Sequence, residues 1–290
     1  MSSTASCRGA VVGFGKIAES THLGALEATD LRVVAVVETE PSRCQAALQL
    51  LPGVRVYGSM AALLGHERLD FVDICTPPHL HFDAICQALR AGVHVLCEKP
   101  LVLTLQQGTE VARLAAVHEK VVTCVHNWTQ APILRRAAEH ARSGALGALE
   151  RVDLITLRTQ PAAAVGDKGN WRVDPSKAGG GILFDHGWHG MSILLRSVGA
   201  PPRVIRGRTE KRRYVDLSVE DTSETWVEFA NGVVGRFAAT WAASERRNEA
   251  RLVCADGIIE VENNTLRLRR GDSLLETETF TESLAGGGYR

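Results

Sequence analysis

The chain is 290 residues long, 45% hydrophobic and 23% charged, enough to bury a substantial core and to form two ordinary domains. Lysine plus arginine number 33 and aspartate plus glutamate 33, so the formal net charge is zero and no global field draws the protein to nucleic acid or to an acidic membrane surface. No run approaches the roughly 18 uninterrupted apolar residues of a membrane span, and Met1 to Cys7 lacks the charged start and apolar run of a signal peptide. A soluble, cytoplasmic protein with a small-molecule ligand is expected.

Up to about residue 127, short β-branched runs alternate with longer amphipathic stretches, the pattern of a parallel sheet with crossover helices. Strands are predicted at Gly9 to Val12, Arg32 to Val37, Phe71 to Ile74, His94 to Leu96 and Val121 to Val125. Helices are predicted over His81 to Ala91 and Leu105 to Glu119, with Gly92 where the first of these would end in a left-handed residue. The seven cysteines, Cys7, Cys44, Cys75, Cys86, Cys97, Cys124 and Cys254, show no C-x-x-C spacing and read as reduced thiols, most of them packed as small hydrophobes.

After Asn127 the grammar changes. A helix is predicted around Ile133 to Ser143, a strand from Leu149, a long irregular stretch from Pro161 to Gly181 and a helix from about Asp185. From Val204 onward strands follow one another without helices between them, which indicates antiparallel pairing. Asn231-Gly232 is expected to join Thr225 to Phe229 with Val233 to Phe237, and Asp256-Gly257 to join Ala250 to Cys254 with Ile258 to Val261, both through turns with positive φ. The glycine-rich end from Gly286 is expected to fray.

The first predicted strand runs into Gly13-Phe14-Gly15-Lys16-Ile17-Ala18, a G-x-G-x-x-A at a strand-to-helix junction. Gly13 permits a tight turn, Gly15 lets backbone approach a pyrophosphate, and Ala18 allows close helix packing beneath it. Glu38 ends the second predicted strand, where a carboxylate would hydrogen-bond ribose hydroxyls and repel a 2′-phosphate. NAD is therefore favoured as cofactor, while Arg43 nearby keeps NADP open. The fold class expected is α/β, an N-terminal Rossmann dinucleotide-binding domain over residues 1–127 followed by an α+β domain with a largely antiparallel open sheet over residues 128–290.

Thr76-Pro77-Pro78-His79-Leu80-His81 and Ala91-Gly92-Val93-His94-Val95-Leu96-Cys97-Glu98-Lys99-Pro100 closely resemble the T-P-x-x-x-H and A-G-x-H-V-x-x-E-K-P signatures of the glucose-fructose oxidoreductase/inositol dehydrogenase family. Ala178-Gly179-Gly180-Gly181-Ile182-Leu183-Phe184-Asp185-His186-Gly187-Trp188-His189 resembles that family's G-G-G-x-L-x-D-x-G-x-H segment. The resemblance implies cofactor contacts from the glycine turn, Glu38, Thr76, Pro77, His81, Glu98 and Lys99, with Pro100 often following a cis bond. It implies a catalytic set of Lys99, Asp185 and His189. An ammonium at Lys99 would stabilise alkoxide charge, His189 would be the general base, and Asp185 would orient it or bind a substrate hydroxyl. Asp185 and His189, four apart, share one face if this segment is helical.

The pattern is not matched throughout. Many relatives carry an aspartate where this chain has Ser192, and an arginine soon after Asn127 where it has Trp128-Thr129-Gln130, so Asn127, Trp128, Trp171 and Arg172 are candidates for lining a substrate cleft of different character. His126 and His186 have no counterpart in the motifs, and the histidines lack the spacing of a metal site. The reaction implied is hydride transfer between a sugar, cyclitol or related polyol hydroxyl and the nicotinamide, in a homo-oligomer joined through the C-terminal sheet. Two alternatives stay open: a lyase or glycosidase using transient oxidation, and a regulatory protein that binds NAD(H) without turnover.

Overall fold

A computed structural model describes residues 7–161 and 170–282. The chain divides into two compact units, with the boundary at Val125 and His126. In the first unit, β1 (Arg8–Val12), β2 (Arg32–Val37), β3 (Arg55–Tyr57), β4 (Phe71–Ile74), β5 (His94–Cys97) and β6 (Val122–Cys124) form a parallel sheet ordered β3-β2-β1-β4-β5-β6. The order turns back on itself between β1 and β4, and at such a switch point open α/β sheets bind ligands outside the carboxyl ends of their strands. Ala10, Val11, Ala35, Val36 and Val72 are fully buried, as strands covered on both faces require.

The covering helices are α1 (Leu23–Glu27), α2 (Pro41–Leu50), α3 (Met60–His66), α4 (His81–Arg90) and α5 (Leu105–Val117), and a π turn over Ala18–His22 leads into α1. Ser59 and Thr104 cap α3 and α5, their hydroxyl oxygens accepting from the Ala62 and Gln107 amides. Gly92, at φ +75°, follows α4. β3, α2 and α3 go beyond the elements read from the sequence; β3 is only three residues long, and α2 has one buried residue, so neither carries a strong periodic signal.

The second unit holds α6 (Asn127–Gln130), α7 (Pro132–Ser143), β7 (Leu149–Leu157), α8 (Pro175–Ala178), α9 (Ile182–Val198) and seven further strands. These are β8 (Pro202–Glu210), β9 (Thr222–Phe229), β10 (Val234–Thr240), β11 (Arg247–Cys254), β12 (Gly257–Glu262), β13 (Thr265–Arg270) and β14 (Ser273–Thr279). The sheet is ordered β14-β13-β12-β11-β7-β10-β9-β8. One face packs against α7 and α9: Val152, Leu154, Phe237, Ala239, Ala250 and Leu252 alternate toward a core shared with Ile133, Ile182 and Leu194. Arginine and glutamate ladders, such as Arg208 and Arg236 on Glu224 and Arg269 on Glu260, occupy the other face.

One parallel pair interrupts the largely antiparallel sheet, and two turns differ in detail from the sequence reading. β10 pairs with β7 in parallel, because the first strand of this unit is inserted between two later ones rather than added at an edge. The Phe229 amide donates to the Val233 carbonyl oxygen across Ala230-Asn231-Gly232, and of these three residues only Gly232 has a positive φ, +86°. Cys254 pairs with Gly257 across Ala255-Asp256, and neither Asp256 nor Gly257 has a positive φ. Gly257 is already in β12, where a Cβ would stand 2.4 Å from the Arg269 carbonyl oxygen, so glycine serves close strand approach there. The irregular stretch from Pro161 contains a 3-10 turn at Trp171–Val173 and then α8; its residues 162–169, like Gly286, lie outside the described residues.

Candidate functional site

At the end of β1 the Gly13 amide donates to the Val37 carbonyl oxygen at 2.8 Å, with φ at +85°. A Cβ there would meet Thr76 Cγ2 at 2.8 Å, whereas one on Gly15 would meet nothing within 4 Å. Ala18 is fully buried. Tight turn, open approach and close packing are what a pyrophosphate at a helix N-terminus demands. Thr76 Oγ1, beside Gly13, is buried without a hydrogen-bond partner among the described residues, so the turn has a polar atom to offer a ligand. These residues fit a dinucleotide.

Phe14 buries its ring completely, while Lys16 is exposed and Ile17 half-buried. The Phe14 amide donates to Glu38 Oε2 at 2.8 Å, and Glu38 Oε1 accepts from the amides of Thr39 and Glu40 at 2.7 and 2.9 Å. The carboxylate at the end of β2 therefore also fastens the glycine turn. Arg43 reaches Glu19 at 2.9 Å on the surface.

Lys99-Pro100 is cis. His81, placed among the cofactor contacts by resemblance, is fully buried, with Nδ1 2.9 Å from the Pro100 carbonyl oxygen and Nε2 2.7 Å from that of Thr76. It clamps the loop carrying Thr76 and Pro77 to the loop carrying Lys99. Burial holds its pKa below the ordinary histidine value, against two carbonyls that favour the protonated ring.

Glu98 also turns inward, 7% exposed. Its Oε1 lies 3.0 Å from His22 Nε2, and its Oε2 accepts the Lys99 amide at 3.1 Å. His22 Nδ1 lies 2.8 Å from Asp73 Oδ2 and 3.4 Å from Cys75 Sγ. Burial opposes charge on His22, but hydrogen bonds to Asp73, Cys75 and Glu98 outweigh it and hold the ring protonated well above the usual range. Burial likewise raises Glu98, yet the bond and charge of His22 bring it below the usual carboxylate range. Burial and then the Asp73 charge push the Cys75 thiol up to about 12, so this cysteine sits in a polar cluster rather than simply filling the core. Sequence reasoning missed His22 and Asp73. The available signal was Asp73 itself, a carboxylate inside the apolar run F-V-D-I-C that must find a buried partner.

The second unit gathers an aromatic and charged cluster on α6 and α9. Glu220 secures the start of α9, its carboxylate accepting from the amides of Gly181 and Leu183 at 2.9 and 3.0 Å, where a negative charge complements the helix N-terminus. A Cβ on Gly181 would lie 1.9 Å from the Glu220 carbonyl oxygen, which explains a glycine at that point of the motif. Asp185 and His189 both lie within α9, and Asp185 Oδ2 is 3.1 Å from His186 Nδ1. His189 is buried and stacked on Trp128, with centroids 4.4 Å apart and planes at 7°.

His186 meets the same indole edge-on at 5.8 Å, and His126 stacks on Trp188 at 5.4 Å, so two histidines without motif support belong to the cluster. Asn127 is buried, its Oδ1 without a hydrogen-bond partner among the described residues. Arg158, just past β7, is a further member that the sequence reading omitted: 7% exposed, its guanidinium sits 5.8 Å over Trp128. Burial and Arg246 bring its pKa down to about 10, Asp185 acting in the opposite sense. Trp171 and Arg172 stack on one another at 4.3 Å. Lys99 belongs to the first unit, Asp185 and His189 to the second.

Residues 7–126 match the profile described as "Oxidoreductase family, NAD-binding Rossmann fold", and residues 134–260 match the "GFO/IDH/MocA C-terminal domain". An uncharacterized oxidoreductase of Schizosaccharomyces pombe is 30% identical over 73% of this chain and 57% of its own length. The D-glucoside 3-dehydrogenase of Escherichia coli is 29% identical over 67% of this chain and 54% of its own. The chain thus spans a little over half the length of these relatives. The crystal structure of GenD2 from gentamicin A biosynthesis, in complex with NAD, superposes with a TM-score of 0.81 at 26% identity, covering 91% of this chain and 74% of that one. Among the described residues no helix is long and apolar enough to cross a membrane.

Proposed function

Since the chain belongs to the GFO/IDH/MocA family of oxidoreductases, we propose that it is a nicotinamide-dependent dehydrogenase that moves a hydride between the carbinol carbon of a sugar, cyclitol or related polyol and NAD, with NADP the less favoured cofactor. The observation that carries this reading is the tight turn at Gly13 and open approach at Gly15, with Glu38 fixed beside them at the end of β2. When bound, NAD supplies the hydride acceptor. Gly15 admits the pyrophosphate, and Glu38 accepts from the ribose hydroxyls and disfavours a 2′-phosphate. The Lys99 ammonium stabilises negative charge on the reacting oxygen, and His189 takes the hydroxyl proton. Asp185 orients the histidine or accepts from a second substrate hydroxyl, and Trp128 offers an apolar wall. A sugar-like substrate accords with the named activity of the Escherichia coli relative.

This reading includes assembly of identical chains through the C-terminal sheet, and seven free cysteines accord with a cytoplasmic setting. The test is absorbance at the reduced-nicotinamide band with NAD and NADP in turn against cyclitols, aldoses and sugar acids, with Lys99→Ala as control. Cofactor reduction that is lost in the variant supports the reading; binding of NAD without reduction by any compound overturns net oxidation in favour of transient redox or sensing.

A further inference from the structure

We infer that His22 is a positioning residue for Lys99: anchored by Asp73 through one ring nitrogen, it fastens Glu98 through the other, and Glu98 in turn accepts the Lys99 main-chain N–H. This rests on the proposed role of Lys99 and extends it to a residue outside the family motifs quoted above. The links are short, 2.8, 3.0 and 3.1 Å, and run from the third residue of β4, through the last residue of the π turn that follows the glycine turn, to the residue after β5. Asp73 is fully buried, His22 4% exposed and Glu98 7% exposed.

Two carboxylates in so little water require a cation between them, since an unpaired buried charge is strongly unfavourable. Asp73, Cys75 and Glu98 face His22, and the charge of Lys99 also acts on Glu98. Acid and base therefore alternate along the line Asp73, His22, Glu98, Lys99. A neutral His22 would leave two carboxylates in one pocket, Glu98 would lose its hold, and the main chain at Lys99 would lose the acceptor that fixes it. The π turn places His22 at this point, an irregularity of the kind that occurs at functional sites. Cys75 Sγ completes a group with His22 Nδ1 and Asp73 whose atoms lie within 4.8 Å of one another, but the 2.8 Å contact between imidazole and carboxylate is a hydrogen bond, so the cation of this pocket is the imidazolium.

The experiment compares the full-length protein with His22→Gln, Glu98→Gln and Lys99→Ala, singly and as the double variant of His22 with Lys99. For His22→Gln, kcat is expected to fall about 100-fold, the effect of misplacing a reacting group by about 1 Å, with the NAD dissociation constant from fluorescence little changed. Glu98→Gln, which keeps size and shape, should repeat the loss and decides the matter if His22→Gln does not fold. In the Lys99→Ala background His22→Gln should cost nothing further, because a residue that acts through Lys99 has nothing left to position.

Nitrogen NMR of labelled histidine gives a readout independent of turnover: both His22 ring nitrogens should remain protonated at pH 8, above the ordinary histidine value of about 6.5. A neutral ring at pH 8, unchanged kcat in both neutral variants, an equal further loss without Lys99, or a stoichiometric divalent metal in the purified protein would each overturn the inference. If the wild type neither binds NAD nor oxidises any polyol, the dehydrogenase reading fails, while the NMR result still decides the state of His22.

Discussion

The indole of Trp128 and the imidazole of His189 lie face to face, 4.4 Å between centroids and 7° between planes. The stack leaves His189 little freedom to rotate and excludes water from one face, which suits the role of general base proposed for it. Trp128→Leu is expected to lower kcat about tenfold or more with little change in the KM for NAD, and Trp128→Phe to restore most of it. Equal loss in both variants would show that the ring face does not matter.

Glu38 both confronts the adenosine ribose in the proposed complex and holds the amides of Phe14, Thr39 and Glu40. Glu38→Ser should therefore do two things: shift kcat/KM toward NADP by about tenfold or more, and lower stability by about 2 kcal/mol as three amides lose their acceptor. Kinetics with both cofactors and a urea melt separate the two effects.

At the head of α9, Gly181→Ala would drive a methyl into the Glu220 carbonyl oxygen, 1.9 Å from the position its Cβ would take. Backbone cannot yield as a side-chain tip does, so about 3 kcal/mol of stability should be lost. Glu220→Gln, which only weakens the cap, should cost about 1 kcal/mol. Thermal melting checks both, and the NAD affinity of the first unit should stay unchanged in each.

Asp221 accepts from the amides of Arg212, Arg213 and Tyr214 at 2.9, 2.7 and 2.8 Å, and from the Thr222 hydroxyl at 2.8 Å. Burial raises its pKa, but these donors outweigh it and the carboxyl titrates below its usual value. The folded chain thus binds this proton less readily than the unfolded one. Its stabilisation is complete above the unfolded value of about 3.9 and is lost as the pH falls through the lower folded value. Asp221→Asn should depress Tm at pH 7 and flatten the acid limb of the Tm profile. A limb of unchanged slope would assign that dependence to other carboxylates.

What the sequence disclosed divides along the range of the interactions. The glycine turn, the strand at Arg32–Val37 and helix α9 depend on neighbours in the chain, and they were legible from periodicity and motif. Asn231-Gly232 and Asp256-Gly257 mark both hairpins correctly, but turn propensity does not set each φ: pairing of Phe229 with Val233 and of Cys254 with Gly257 leaves a positive φ at Gly232 alone. His22 and Glu98 are 76 positions apart, and Arg158 meets Trp128 only once β7 is in place. No local pattern encodes such contacts. Resemblance supplied Lys99, Asp185 and His189 as names, and for His81 the structure adds that its ring nitrogens face two main-chain carbonyls.

The central position of β7 also dictates when the second unit can come together. Its ladder partners, β10 and β11, are Val234–Thr240 and Arg247–Cys254, some 80 to 100 residues farther along the chain. A nascent chain emerging from the ribosome carries Leu149–Leu157 with both edges bare until those strands arrive, and loop closure over such a span slows pairing. The alternating arginine and aspartate of that strand, Arg151 and Asp153, put charge on one of its faces throughout the wait, a natural protection against joining the wrong edge.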